Sequence, residues 1–232
     1  MDTSLELQNK LTSDTIFSFL NEAIDKFYKT RYSGINGKQE GFEQSQKRID
    51  DLRTLIKSVT YKIDNLKENS KIIVSSASKY SVALPEDYVV LLGDTAGIQP
   101  IDNTNKCWEK DNEGKYITKY NDVIEATIET IDKQLNNSLS EHKLKYNAAK
   151  PLRLIQENEI QLYTDGNYKV AEYTIKYLKK PEKLNKDNLT TEYTSLPEHT
   201  HMEIVKMAVQ LYLATKPMEH YSVYSSEVNN ME

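Results

Sequence analysis

Few residues of this chain have the type and spacing that chemistry requires. Of the four histidines, His142, His199, His201 and His220, only His199 and His201 lie close together in sequence. Residues two apart at a helix start point to different faces, and a zinc site needs further thiolate, imidazole or carboxylate ligands beside them. We therefore expect solvated histidines and no metal site.

The single cysteine, Cys107, precedes Trp108 in a polar segment. A nucleophilic thiol needs a nearby base and a lowered pKa, and no histidine is close to it in sequence. The sequence favours a partly buried cysteine beside an anchoring tryptophan. An enzyme that uses Cys107 or the histidines at 199 and 201 is the alternative hypothesis, and thiol labelling would test it.

Motifs of nucleotide binding and hydrolysis are absent from the sequence. It contains no GxGxxG, GxxxxGK[ST], GxSxG or HExxH pattern. The adjacent carboxylates Asp50 and Asp51 diverge by about a hundred degrees on a helix, so we expect both to be solvated. We predict no catalytic residue, no cofactor and a protein that is not an enzyme.

Tyrosine is unusually frequent, with 16 residues against four phenylalanines and one tryptophan. A tyrosine ring buries a large apolar area while its hydroxyl keeps a polar partner, which suits half-buried strands and protein interfaces. Stacking of single-stranded nucleic acid on these rings is the alternative, but it needs basic residues interleaved on the same face. The candidate partner-contact residues are Tyr163, Tyr173, Tyr177, Tyr221, Val223 and Tyr224.

The charge balance argues against a protein that grips nucleic acid. Lysine and arginine total 30 against 35 aspartates and glutamates, a net charge of −5, and no basic stripe is present. No run of eighteen apolar residues occurs, so we expect no membrane-spanning segment.

Apolar residues at helical spacing predict the helices. They indicate a hairpin of two helices within residues 13–57, with Ser13 as the cap of the first helix and the second helix over about 40–57. The same period predicts a middle helix over 118–139 and a C-terminal helix over 197–216.

The C-terminal helix carries the clearest sequence signals. Ser195 and Glu198 have the spacing of a capping box at its start. Its predicted buried face consists of Ile204, Val205, Ala208, Leu211, Tyr212 and Thr215.

Segments rich in Val, Ile, Thr and Tyr predict strands, in a β-rich part at about 57–101 and 150–180. Residues 160–177 indicate a hairpin that turns around Gly166. In its second strand the alternation slips near Ala171 and Glu172, which predicts a β-bulge.

Together these elements predict an α+β fold. Its body is a helical bundle made of the N-terminal helix hairpin, the middle helix and the C-terminal helix. A small antiparallel β-sheet lies to one side. We expect residues 1–217 to form a single domain and residues 218–232 to form an extended C-terminal tail.

The order of these segments resembles a known kind of protein. A helix hairpin, strands with ALPEDY and a helix come first, followed by KPLRLIQENEIQLYTDGNYKVAEYTIKYLKKPEKLN and TSLPEHTHMEIVKMAVQLYLATKP. This pattern resembles the ring or adaptor proteins beneath the portal of short-tailed, crAss-like phages. It is also similar in layout to tail tubular protein A. The closest stretch is residues 150–217.

The resemblance implies a structural virion protein of a phage tail, made in the host cytoplasm. It implies a homo-oligomeric ring, a dodecamer, in the head–tail connector that binds the portal and neighbouring tail proteins. During genome ejection duplex DNA would pass through this ring without specific binding. A soluble protein-binding adaptor module of a bacterium is the alternative.

If the chain forms such a ring, acidic residues should dominate the inner surface, because a basic lumen would trap DNA. The candidates are Glu40, Glu43, Asp50, Asp51, Glu109, Asp111 and Glu113.

Overall fold

The computed structural model describes seven segments of the chain. They are residues 12–33, 45–62, 72–76, 78–101, 108–144, 148–186 and 192–215. Contacts group the chain into two compact units, which we call the helical unit (Met1–Ile56 with Lys180–Glu232) and the sheet unit (Lys57–Lys179). The single domain expected over 1–217 stays a prediction, and the expected tail at 218–232 lies outside the described residues.

Four α-helices and nine strands make up the described part of the chain. The helices are α1 (Ser13–Ser33), α2 (Gln46–Leu52), α3 (Ile131–Asn136) and α4 (Glu198–Ala214). The strands are β1 (Ile56–Lys62), β2 (Ile72–Ser76), β3 (Lys79–Ala83), β4 (Tyr88–Pro100), β5 (Lys119–Asp122), β6 (Ile124–Glu125), β7 (Leu152–Gln156), β8 (Glu159–Tyr163) and β9 (Tyr168–Lys179). Within these segments no helix is long and apolar enough to cross a membrane.

Helix α1 forms where its apolar period predicts, and it packs on α4. Ala23, Ile24 and Phe27 are buried, and the ring of Phe19 meets the ring of Tyr212 edge-on at 5.7 Å. Thr12 caps the helix in place of Ser13, because the Thr12 hydroxyl accepts a hydrogen bond from the Thr15 backbone N–H at 3.3 Å.

Helix α4 confirms the predicted C-terminal helix but not its cap or its whole buried face. Pro197 precedes the first turn without a side-chain capping bond, and the Ser195 hydroxyl instead accepts from the backbone N–H of Glu182 at 3.0 Å. Val205, predicted to be buried, is 43% exposed. The buried residues of α4 are Thr200, Ile204, Met207, Ala208 and Gln210.

Two sheets share one hydrophobic core in the sheet unit. The strand orders are β1-β9-β4-β5 and β2-β3-β8-β7-β6, and of the described pairs only β6–β7 is parallel. The core residues alternate along the strands with residues that face outward. The first sheet contributes Ala96, Ile98, Val170 and Ile175, and the second contributes Val82, Ile160 and Leu162.

The predicted helical bundle body is wrong, because the described part of the chain is mixed. Its strands together cover about as much of the sequence as its helices do. The middle helix predicted over 118–139 is reduced to α3, preceded by β5 and β6. Its spacing was coincidental, since Tyr120 and Ile128 are 60% and 69% exposed. The Ile- and Thr-rich composition of this stretch suits strands.

The second predicted helix is also shorter than expected. Helix α2 ends at Leu52, a 3₁₀ turn spans Arg53–Leu55, and β1 begins at Ile56. Residues 40–44 lie outside the described part of the chain.

The hairpin predicted over 160–177 is wrong in its pairing, although both strands exist. Strand β8 pairs with β3 and β7, whereas β9 pairs with β4 in the other sheet. The predicted turn around Gly166 is confirmed. Gly166 has a φ of 84°, and the Asp165 carboxylate accepts from the Asn167 N–H at 2.8 Å. It therefore carries the chain from one sheet to the other.

The predicted β-bulge is confirmed. Gly97 of β4 lies opposite Glu172 and Ile98 lies opposite Val170, so Ala171 is the extra residue. The bulge keeps both Val170 and Tyr173 facing the core.

Candidate assembly interface

Two of the candidate contact tyrosines lie inside the sheet unit. The Tyr173 hydroxyl donates to Asp94 Oδ2 at 2.6 Å, and Arg153 Nη1 donates to Asp94 Oδ1 at the same distance. Burial raises the pKa of Asp94, and the hydrogen bonds from Tyr173 and Arg153 offset that rise only in part. This cluster links β4 and β9 to β7 of the other sheet.

Tyr177 is equally buried and also donates to a carboxylate. Its hydroxyl lies 2.7 Å from Asp87 Oδ1, and Lys57 Nζ lies 3.1 Å from Asp87 Oδ2. Burial raises the pKa of Asp87, but the hydrogen bonds from Tyr177 and Lys57 outweigh it, so the pKa lies below its ordinary value. Asp87 lines an open cleft of about 740 Å³ with Tyr61 and Glu159.

Tyr163 is half-buried and is the most accessible of the three tyrosines predicted in this region. Its hydroxyl donates to Gln161 Oε1 at 2.8 Å, and Lys79 Nζ lies 5.4 Å from its ring centre. The other three candidates, Tyr221, Val223 and Tyr224, lie outside the described residues. Partner contact through any of the six residues stays a prediction, and burial gives Tyr173 and Tyr177 a role inside the sheet unit.

A buried ionic cluster joins three helices of the helical unit. Arg31 of α1 contacts Asp51 of α2 at 2.9 Å and also contacts Glu203 of α4. His199 Nε2 lies 2.9 Å from the other Asp51 oxygen. The expectation that Asp51 is solvated is wrong, because its side chain is 1% exposed and its charge is paired with Arg31.

The other predicted chemical residues have structural partners. His199 and His201 point to different groups, as expected, and His201 Nε2 lies 3.1 Å from the carbonyl of Leu196. Trp108 is buried and donates to the Ile117 carbonyl at 2.8 Å, which confirms its anchoring role. Cys107 lies outside the described residues. Within the described segments no three metal-ligating side chains converge.

Three of the acidic candidates for the inner surface of a ring, Glu109, Asp111 and Glu113, lie in one loop next to lysines. Glu109 contacts Lys119 at 2.6 Å, and Glu113 contacts Lys115 at 3.1 Å. The Asp111 carboxylate accepts from the backbone N–H of Lys115 at 2.8 Å. The loop is therefore close to neutral, while Glu40 and Glu43 lie outside the described residues.

Helix α4 presents an apolar face to solvent. Met202, Val205 and Val209 are 65%, 43% and 38% exposed, and their spacing places all three on one side of the helix. We call these three residues the α4 stripe. Sequence reasoning missed it because α4 is apolar on both faces, and periodicity alone does not say which face is covered.

The sheet unit has a second exposed apolar position next to a groove. Ile128 is 69% exposed and lines an open cleft of about 540 Å³ with Leu154 and Ile155 of β7. A single exposed apolar residue is ordinary on a protein surface, so this position carries less weight than the α4 stripe.

These features are typical of a protein that assembles with copies of itself or with partners. The buried charges connect elements of the fold, and the α4 stripe exposes apolar side chains. The family model described as phage tail ring protein 3/4 matches residues 14–222, so the chain belongs to this family of crAss-like phage tail ring proteins. It is thus a structural protein of the virion tail. No curated protein matches the chain.

Proposed function

We propose that the chain is the subunit of a ring in the portal–tail connector, through which the phage genome passes. The family match over residues 14–222 is the observation that carries this proposal. The resemblance to adaptor proteins beneath the portal supplies the position in the virion and the dodecameric number. Synthesis in the host cytoplasm belongs to the same proposal.

The chemistry of the described residues supports a structural role without catalysis. The two buried acid clusters are satisfied by Arg31 and Arg153, so neither carboxylate is available as a general base. In the larger of the two clefts described above, the Asp87 carboxylate already accepts from the Tyr177 hydroxyl and the Lys57 amine. The net charge of −5 suits a conduit that does not retain DNA.

Electron microscopy of the full chain tests the proposal. The purified protein, alone and mixed with the portal protein of the same phage, should form closed rings that bind the portal coaxially. Light scattering should give the mass of a dodecamer. A chain that stays monomeric at high concentration and does not bind the portal would overturn the proposal and favour a soluble adaptor module.

A further inference from the structure

The α4 stripe differs from the exposed face of α1, the other long helix of the same unit. The outward residues of α1 include Ser18, Glu22, Lys26 and Lys29, which are polar or charged. The exposed residues in the middle of α4 are a methionine and two valines, whereas Glu198, His199 and Ala214 are the exposed residues near its ends. An apolar helix face is typically covered, and among the described residues nothing covers the α4 stripe.

A segment that could supply the cover follows α4 directly. The last described segment ends at residue 215. Residues 216–232 follow it and lie outside the described part of the chain. The segment is mostly polar, and its central apolar residues are Tyr221, Val223 and Tyr224. The family match continues to residue 222, so the family pattern extends past the end of α4 into this segment.

The dimensions of the two partners agree. Met202 and Val209 are seven residues apart, so the α4 stripe is about 10 Å long at a rise of about 1.5 Å per residue. In an extended segment Tyr221 and Val223 face the same side and lie about 7 Å apart at about 3.3 Å per residue, close to the distance of about 6 Å between Val205 and Val209 along α4.

Ring closure requires two different and complementary surfaces on every subunit. The α4 stripe and the apolar centre of the C-terminal segment provide such a pair. We infer that residues 221–224 of one copy pack on the α4 stripe of the neighbouring copy. This inference rests on the proposed ring, and it specifies which contact holds adjacent subunits together.

Cysteine crosslinking between separate chains tests the contact. In a Cys107→Ser background, one chain carries Val205→Cys and the other carries Val223→Cys, and the two are assembled together and oxidised. We expect a reducible dimer. The matched control, Glu22→Cys on the exposed face of α1 mixed with Val223→Cys, should give no dimer.

Three crosslinking results would overturn the inference. If Val205→Cys and Val223→Cys react only when one chain carries both, the segment covers its own α4. Dimers of Val205→Cys alone would show that the α4 stripe pairs with itself. Rings that form without any Val205–Val223 crosslink would mean that another partner covers the stripe, and the proposed function would survive.

Assembly measurements provide the independent readout. Deletion of residues 218–232 and the substitution Val205→Asp should each leave the melting temperature of the isolated chain within about 2 °C, while each abolishes rings. Glu22→Lys should assemble normally. If the deletion variant forms rings as well as wild type, the inference fails; if wild type forms none, the proposed function fails first.

Discussion

Asp94 is the one charged residue of β4, and Arg153 is the one charged residue of β7. Each is the main partner of the other. Arg153 lies between Leu152 and Leu154, and Asp94 follows Leu91 and Leu92 in a long apolar run. The side chains of both are at least nine-tenths buried, and they come from different sheets. The sequence shows two isolated charges in strands but does not show that they meet.

Removing one partner should destabilise the sheet unit strongly. We expect Asp94→Ala to lower the free energy of unfolding by about 3 kcal/mol, because it leaves the Arg153 charge buried with only the exposed Glu125 nearby. Urea unfolding followed by circular dichroism measures the change.

Two controls belong to this prediction. Glu113→Ala, which breaks an exposed pair with Lys115, should change stability by less than about 0.5 kcal/mol. The double variant Asp94→Leu/Arg153→Met should recover part of the loss, since apolar residues replace a buried ion pair at little cost, while the buried Tyr173 hydroxyl still loses its acceptor. A single variant as stable as wild type would contradict the assigned role of the pair.

His142 makes stability depend on pH. Its side chain is fully buried, with Nδ1 2.8 Å from the Ser140 hydroxyl. Burial, with a smaller contribution from Lys143, lowers its pKa below the ordinary value of 6.5, and Asp165 opposes this shift. The unfolded chain therefore binds a proton more readily, and the stability contributed by neutral His142 is present above pH 6.5 and lost as pH falls through the folded pKa.

A substitution isolates this titration. We expect the melting temperature of wild type to exceed that of His142→Gln at pH 7.5, and the difference to shrink as the pH is lowered below 6.5. Calorimetry of both proteins over pH 5–8 measures it. A difference that is constant with pH, or that grows on acidification, would contradict the lowered pKa.

At the scale of elements, the close approach of β5 to β4 depends on Gly97. A Cβ atom at Gly97 would lie 2.7 Å from Thr118 Cγ2 and 3.3 Å from Glu172 Cβ, next to the bulge in β9. Gly93 of the same strand has no atom within 4 Å of that position. The two glycines therefore have different roles in one strand.

This difference gives a matched pair of variants. Gly97→Ala should lower the free energy of unfolding by about 1–3 kcal/mol, because neighbouring strands must shift to admit the methyl group. Gly93→Ala should be neutral or stabilise by about 0.5 kcal/mol, since it reduces the freedom of the unfolded chain. Equal effects in chemical denaturation would show that β4 and β5 do not approach as described.

At the scale of the whole molecule, net charge determines how the protein behaves towards DNA. The chain carries an excess of five negative charges, and Glu109 and Glu113 are paired with Lys119 and Lys115. We expect duplex DNA to bind more weakly than about 1 µM at physiological salt, with little salt dependence.

Fluorescence anisotropy with labelled duplex DNA over a range of salt concentrations measures this binding. The variant Glu109→Lys/Glu113→Lys should bind DNA more tightly and acquire a salt slope, because it creates a basic patch with the neighbouring lysines. Tight wild-type binding with a steep slope would show a basic face that the net charge conceals, and a conduit role would be untenable.

The sequence by itself determined what depends on neighbours along the chain. Local periodicity located α1, α4 and most strands, the slip in alternation located the bulge at Ala171, and the segment order indicated the phage ring family. These signals are local because helix and strand geometry repeat every few residues.

Only the tertiary structure decided what depends on distant residues. It placed β8 and β9 in different sheets, paired Asp94 with Arg153, and turned Met207 rather than Val205 of α4 towards the core. Strand propensity does not encode a partner, and a helix that is apolar on both faces fits a core in either orientation. Packing with residues far away in sequence makes each of these choices, and it leaves the α4 stripe exposed.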